Sequence, residues 1–250
     1  MTAAAIEARG LGKDFGSIRA LDRLDLDVRA GEFFGLLGPN GAGKTTTVHL
    51  LATLLAPTRG TARVVGHDVA QDDFAVRRAI GLVFQDTTLD RDLTVQENLR
   101  FAARLWNLPA RLAVPRIDAL VRQFGLGERR DDPVRTLSGG MRRAADLARG
   151  MLHEPRVLFL DEPTAGLDPR ARRSLWELIR RLREASGLTV LLTTHYVEEA
   201  EPCDRVAVLD HGRLAALGTP ADLKRDAGVA SLEEVFLART GHPLAESGAA

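Results

Sequence analysis

Residues Gly38-Pro39-Asn40-Gly41-Ala42-Gly43-Lys44-Thr45 occupy every fixed position of the pattern G-x-x-x-x-G-K-[ST], and Thr46 follows them. An apolar run of strand length, Phe33–Leu37, leads in. A helical pattern over 44–55 leads out and stops before Pro57. No other stretch restricts the fold so strongly, because strand, glycine loop and helix must follow one another without slack. Glycines let a backbone wrap a phosphate chain closely, and successive amide N–H groups turned inward make an anion nest. The start of the helix adds its partial positive charge. On this reading residues 38–46 cradle the phosphates of a nucleotide, with Lys44 at the β- and γ-phosphates and the Thr45 hydroxyl on Mg²⁺. The loop specifies nucleotide binding and is silent about the reaction.

The rest of the chain alternates strand and helix patterns. Two short strands are expected in the first thirty residues, the second near 20–28, where Leu21, Leu24, Leu26 and Val28 supply the apolar positions. Further strands are expected at 63–66, 80–84, 157–160 and 188–193, and Arg205–Asp210 should pair with 213–217 around a His211-Gly212 turn. Residues 94–127 read as two helical segments parted near Pro109, and another helix should follow Ser138. Leu175, Leu178, Ile179 and Leu182 recur at i, i+3, i+4 and i+7, the stripe of an amphipathic helix over 169–185. This order predicts an α/β fold with a mainly parallel core sheet, an N-terminal antiparallel β part and an inserted α-helical part. We expect one domain over 1–240 with the helical insertion at about 86–153, and a disordered tail at 241–250.

Composition narrows the function classes. The formal net charge is zero, so no overall field draws nucleic acid or anionic lipid. Cys203 is the only cysteine, which excludes an internal disulfide and a multi-cysteine metal site. Residues 1–10 lack the basic start and apolar core of a signal peptide, and apolar runs such as 50–56 are too short to span a bilayer. Work at a membrane would require docking to something embedded there.

Two more motifs bring chemistry. Val157-Leu158-Phe159-Leu160-Asp161-Glu162-Pro163 is an apolar strand ending in two carboxylates, which places Asp161 at the carboxyl edge of the sheet. Asp161 can hold Mg²⁺ there, and Glu162 can polarise an attacking water as general base. Alone, two acids after a strand make a polar turn; beside the glycine loop they make a catalytic pair. Leu137-Ser138-Gly139-Gly140-Met141 then sets a serine and two glycines at a second helix start. Ser138 can cap that helix, and the same group can form a second anion site.

With these three motifs in order, the sequence resembles the ATP-binding subunits of ABC transporters over residues 6–240. The resemblance implies a P-loop NTPase that hydrolyses ATP with Mg²⁺, its signature motif being residues 137–141. It implies that Phe15 stacks on adenine, Gln85 senses Mg²⁺ and the attacking water, Asp168 couples two sites, and His195 contacts the γ-phosphate. It further implies that two subunits, most simply two copies, pack head to tail. Lys44, Asp161, Glu162 and His195 of one would then face Ser138, Gly139 and Gly140 of the other. The implied partner is a transmembrane permease, with the chain cytoplasmic and peripheral on the cytoplasmic face of the cell membrane; no nucleic acid is expected.

Met141 stands where many relatives have glutamine, and Phe15 where tyrosine is commoner, which keeps the stacking face and loses a hydroxyl. The stretches 81–86, 93–99, 194–200 and 232–237 resemble the drug-resistance (daunorubicin-type), polysaccharide and nodulation-factor exporter branch. The chain ends soon after the last of these, without the long extension common in sugar importers, and export is therefore expected. The other class is a soluble ABC ATPase acting on DNA or the ribosome. Members of that class carry long coiled coils, zinc cysteines or a second ATPase domain, none of which fits these residues. A kinase or GTPase reading leaves residues 137–141 unexplained.

Overall fold

The computed structural model describes residues 4–244. In chain order the main elements are β1 (Ala4–Phe15), β2 (Ile18–Arg29), β3 (Phe33–Leu37), α1 (Lys44–Leu51), β4 (Arg59–Val64), β5 (His67–Asp68) and α2 (Asp73–Ala79). Then come β6 (Ile80–Val83), α3 (Val95–Leu105), α4 (Ala110–Gln123), α5 (Gly139–Met151), β7 (Val157–Asp161) and α6 (Pro169–Ser186). The chain closes with β8 (Thr189–Thr194), α7 (Val197–Ala200), β9 (Arg205–Asp210), β10 (Arg213–Gly218), α8 (Pro220–Ala227) and α9 (Leu232–Thr240). Two units divide it, one built from 4–79 with 189–244 and the other from Ile80–Leu188.

In the first unit β1 pairs antiparallel with both β2 and β4, and β5 follows β4, giving the order β2-β1-β4-β5. Ile6, Ala8 and Leu11 of β1 and Leu21, Leu24, Leu26 and Val28 of β2 are buried. Both strands run to twelve residues, longer than the short strands expected. Register shifts interrupt their ladder, and Gly10 and Arg23 take positive φ of 54° and 52°. Each bulge resets the in–out alternation, so one long strand carries the pattern of two short ones. Strand β4 lies earlier than 63–66, because Val65 and Gly66, at φ 52° and 83°, form the turn into β5.

The parallel part of this unit is centred on β3, whose five residues are all buried, as a strand covered on both faces requires. It pairs in parallel with β8, Phe33 opposite Val190 and Leu37 opposite Thr194, and with β9 on its other side. Strand β10 returns antiparallel to β9 through His211 and Gly212, at φ 45° and 75°. Two consecutive positive φ values mark the tight hairpin turn foreseen there. Helix α1 ends at Leu51, short of residue 55. Thr53 turns left-handed at φ 61°, and its hydroxyl accepts a hydrogen bond from Arg77 Nε at 2.8 Å. Helix α9 buries Leu232, Val235 and Phe236. Of the tail expected to be disordered, 245–250 lie outside the described residues; before them His242 contacts Asp210 and Leu244 is buried.

In the second unit β6 and β7 pair in parallel, Ile80 opposite Val157 and Val83 opposite Leu160. Helix α5 packs against α3, α4, α6 and β6. Leu175, Leu178, Ile179 and Leu182 form the buried stripe of α6, as their spacing foretold. The helical segments part at Pro109, which precedes α4, while Pro115 sits in the second turn of α4 without ending it. Among the described residues, no helix is long and apolar enough to cross a membrane. Helices α2, α7 and α8 were not foreseen, since none is long enough to show much more than two turns of periodicity.

Helix α3 starts with a capping box. The Thr94 hydroxyl accepts from the Glu97 N–H at 3.1 Å, and the Glu97 carboxylate accepts from the Thr94 N–H at 2.8 Å. Thr94→Ala should lower unfolding free energy by about 1 kcal/mol and Thr94→Ser by much less, as read from urea midpoints.

Candidate nucleotide site

The glycine loop is held in the first unit by backbone contacts that leave no room for side chains. A Cβ on Gly38 would lie 2.3 Å from the Leu209 carbonyl oxygen, and one on Gly43, at φ 98°, would lie 2.8 Å from that of Ala20. Gly38 N–H donates to the Thr194 carbonyl at 3.2 Å, and Gly212 N–H donates to the Ala42 carbonyl at 3.1 Å. The ends of β8 and β9 therefore brace the loop from below. Lys44 is buried, and its Nζ donates to the Gly38 and Pro39 carbonyls at 2.9 and 3.1 Å, so the ammonium is held over the loop. Gly43 is the N-cap of α1 and supplies no side-chain oxygen, and the first turn carries no acid. No side chain of that first turn therefore opposes the partial positive charge of the helix start.

Thr194, which accepts from Gly38, is followed by His195, so the histidine sits at the rim of the same loop. The Thr194 hydroxyl donates to Glu199 at 2.6 Å and accepts from the Tyr196 N–H at 2.9 Å, fixing the turn that carries His195. The Tyr196 ring lies 4.1 Å from that of His195. Phe15 ends β1 and is 45% exposed, a large flat side chain presented to solvent. Lys13 Nζ stands 5.2 Å from its ring centroid. The hairpin it opens returns along β2 past Ala20, where that strand meets Gly43.

The second unit holds the other motif residues. Strand β7 is buried throughout and delivers Asp161, 3% exposed, followed by Glu162, 8% exposed. Glu162 has φ 45°, a left-handed backbone that a residue with a side chain adopts at a cost of about 1–3 kcal/mol. Asp168 caps α6, its carboxylate accepting from the Arg170 and Ala171 N–H groups at 2.9 Å each. Those bonds, Ala171 first, hold its carboxyl below the usual range. Ser138 is exposed and caps α5, accepting from Met141 N–H at 3.3 Å. A Cβ on Gly140 would stand 3.0 Å from that of Ala171, so the start of α5 packs directly on the start of α6. Ser138, Gly140, Met141 and Asp168 line one cleft of about 650 Å³, with Arg170 and Arg181 on its α6 side.

Gln85 lies just beyond β6, and Arg143 of α5 fixes its backbone. The guanidinium donates to the Phe84 and Gln85 carbonyls, both at 2.5 Å. One turn further along, burial pushes the Asp146 carboxyl up, against the opposing effects of Thr87, Arg149 and Arg143. Sequence reasoning missed this pair. Its signal is a charge at core spacing, since Arg143, Asp146, Leu147 and Gly150 share the buried face of α5.

The ABC transporter family model matches residues 21–165. The daunorubicin/doxorubicin resistance ATP-binding protein DrrA of Streptomyces peucetius is 51% identical over 225 residues, 90% of this chain and 68% of that protein. The Nod factor export ATP-binding protein I of Ralstonia nicotianae is 46% identical over 219 residues, 87% of this chain and 68% of that one. A solved ATP-binding subunit of an ABC transporter superposes with a TM-score of 0.84 at 33% identity, covering 94% of this chain and 99% of the other. CbiO1 from Clostridium perfringens, part of the ABC transporter complex CbiONQ, gives 0.82 at 27% identity, covering 95% and 96%. A loop so braced, with relatives this similar along most of the chain, leaves one assignment: the protein belongs to the ABC transporter family, as an ATP-binding, ATP-hydrolysing subunit with the P-loop NTPase fold.

Proposed function

We propose that the chain energises a separate transmembrane permease that exports a drug, lipid-like or polysaccharide-type substrate, acting as one of two copies that close head to tail on ATP. The observation that carries the two-copy reading is the exposed Ser138 at the start of α5, in one cleft with Asp168 and followed by half-buried Gly139 and Gly140; this helix start would serve as the second anion site. Export is supported by the relatives named for drug resistance and Nod factor export. Phe101, Leu105, Leu112 and Val114 on α3 and α4 are exposed apolar side chains, which supports residues 85–126 as the surface that receives the permease. The chain would then sit peripherally on the cytoplasmic face of the membrane.

Within this reading Phe15 stacks on adenine, and the amides of residues 38–46 with Lys44 hold the phosphates. His195 donates to the γ-phosphate. Ser138, Gly139 and Gly140 of the second copy approach it from the other side and stabilise transition-state charge, as an arginine finger does elsewhere. Glu162 takes the proton of the attacking water. The strained backbone of that one residue supports the role, because such strain persists where the surroundings impose a geometry. Thr45, Gln85 and Asp161 offer hydroxyl, amide and carboxylate oxygens, the hard donors that suit Mg²⁺. Mg²⁺ held by these oxygens would supply positive charge against the negative charge that develops on the phosphates. Asp168, held in place as the cap of α6, couples one site to the next, and Arg143 sets the direction in which Gln85 leaves β6.

Glu162→Gln should cut steady-state ATPase by about 100-fold or more while ATP binding persists and an ATP-bound dimer accumulates on gel filtration. The same tagged variant, drawn from detergent-solubilised host membranes, should bring a multi-helix membrane protein in comparable amount. Undiminished turnover would remove Glu162 from the base role. Recovery of only ribosomal or DNA-bound proteins would replace transport by the soluble class. Ser138→Arg should leave ATP binding to the monomer intact and abolish ATP-driven dimerisation; normal dimerisation would contradict the shared site.

A further inference from the structure

A second cluster of chemistry-bearing side chains lies in the first unit and takes no part in the steps above. Strand β9 ends at Asp210, the turn residue His211 follows, and His242 comes immediately after Gly241, which caps α9. Nδ1 of His211 is 2.9 Å from one Asp210 carboxylate oxygen, and Nε2 of His242 is 3.2 Å from the other. One nitrogen from each imidazole and a carboxylate oxygen all fall within 4.8 Å of one another. The two rings meet edge to face with centroids 5.8 Å apart, and the Phe236 ring packs edge-on against His242 at 5.4 Å.

The tautomer of His242 makes the cluster informative. Its Nδ1 lies 3.2 Å from the Pro243 carbonyl oxygen, which can only accept, so Nδ1 carries the hydrogen. Nε2 of a neutral ring therefore turns a lone pair toward the Asp210 carboxylate, an arrangement that repels unless a cation lies between them. A backbone carbonyl on the far ring nitrogen is the support usual for metal-ligating histidines, fixing ring orientation and tautomer. A proton on Nε2 would turn that contact into a hydrogen bond like the one His211 Nδ1–H can donate to the other oxygen, whereas one metal ion would take both imidazoles and the carboxylate as ligands.

We propose that Asp210, His211 and His242 form a binding site for a Zn²⁺-class transition metal, with solvent completing the coordination. Bonds of about 2.0–2.2 Å in a tetrahedral site put ligand atoms roughly 3.3 Å apart, close to the two carboxylate–imidazole distances already present. Those two contacts are to different carboxylate oxygens, so the imidazoles must draw together around an ion that one or both oxygens hold. His211, whose side chain is 82% exposed on its turn, is free of packing that would oppose the swing. The next residue, Gly212, donates its N–H to Ala42 of the nucleotide loop at 3.1 Å, and its carbonyl accepts from Asp22 N–H at 2.7 Å. A bound metal would thus tie the segment after α9 to the hairpin that braces the ATP loop.

Chelator-treated protein, free of nucleotide and Mg²⁺, should be titrated with Zn²⁺ by calorimetry and followed by thermal melting. The expected result is saturable binding of a single ion per chain with a rise in melting temperature. His211→Ala, at an exposed position that leaves folding intact, and His242→Gln should each weaken that binding by roughly tenfold or more and abolish the thermal shift. Absence of saturable binding would show that His242 simply holds a proton against Asp210 and would overturn the proposal. Undiminished affinity in both variants would place the ion elsewhere and overturn it equally.

Discussion

The nucleotide loop exists because backbone meets backbone at Gly38 and Gly43 more closely than any side chain permits. Leu209 presses on the first, Ala20 on the second, and Lys44 folds its ammonium onto the loop's own carbonyls. Three segments far apart in the chain must converge to make that approach: the start of β2, the end of β8 and the β9–β10 turn. The long antiparallel β1–β2 ladder, the buried parallel strand β3 and the short α1 are the means by which they do. Alanine at Gly38 would push directly against a carbonyl oxygen, and with backbone on the other side nothing flexible is available to yield.

The second unit follows a different economy, in which polar side chains rather than glycines fix the geometry. Asp168 and Ser138 each cap a helix, and the two helix starts pack on each other through Gly140 and Ala171. Arg143 reaches from the same helix as Ser138 to the carbonyls on either side of the Phe84–Gln85 peptide. A change at the start of α5 therefore bears on the segment that carries Gln85 through a single side chain. Glu162 adds stored backbone strain at the end of β7. These features give the second unit a stiff frame for residues whose proposed roles require fixed directions.

Much of this was legible in the sequence where the relevant residues are contiguous. Residues 38–45, 137–141 and 157–162 declare themselves because loop, cap and strand end are each local, and the His211-Gly212 hairpin turn is equally so. Legibility failed where long-range pairing decided the outcome. The ladder bulges near Gly10 and Arg23 made two long strands look short, and the Arg77 hydrogen bond to Thr53 helped end α1 early. Arg143 and Asp146 were hidden because a charge on a helix reads as solvated until its neighbours are known. His242 lay in a tail that looked structureless, and only the fold brings it to Asp210.

In the proposed pair of copies, each ATP is enclosed by the glycine loop of one copy and the Ser138 helix start of the other. Mixing two inactive variants, Lys44→Ala and Ser138→Arg, tests it directly. In a head-to-tail pair of one each, both lesions fall in one site and the other site keeps an intact Lys44 and an intact Ser138. ATPase activity, absent from either variant alone, should reappear on mixing. If both variants bind their partners yet the mixture stays inactive, the site is complete within one chain and the shared-site account is wrong.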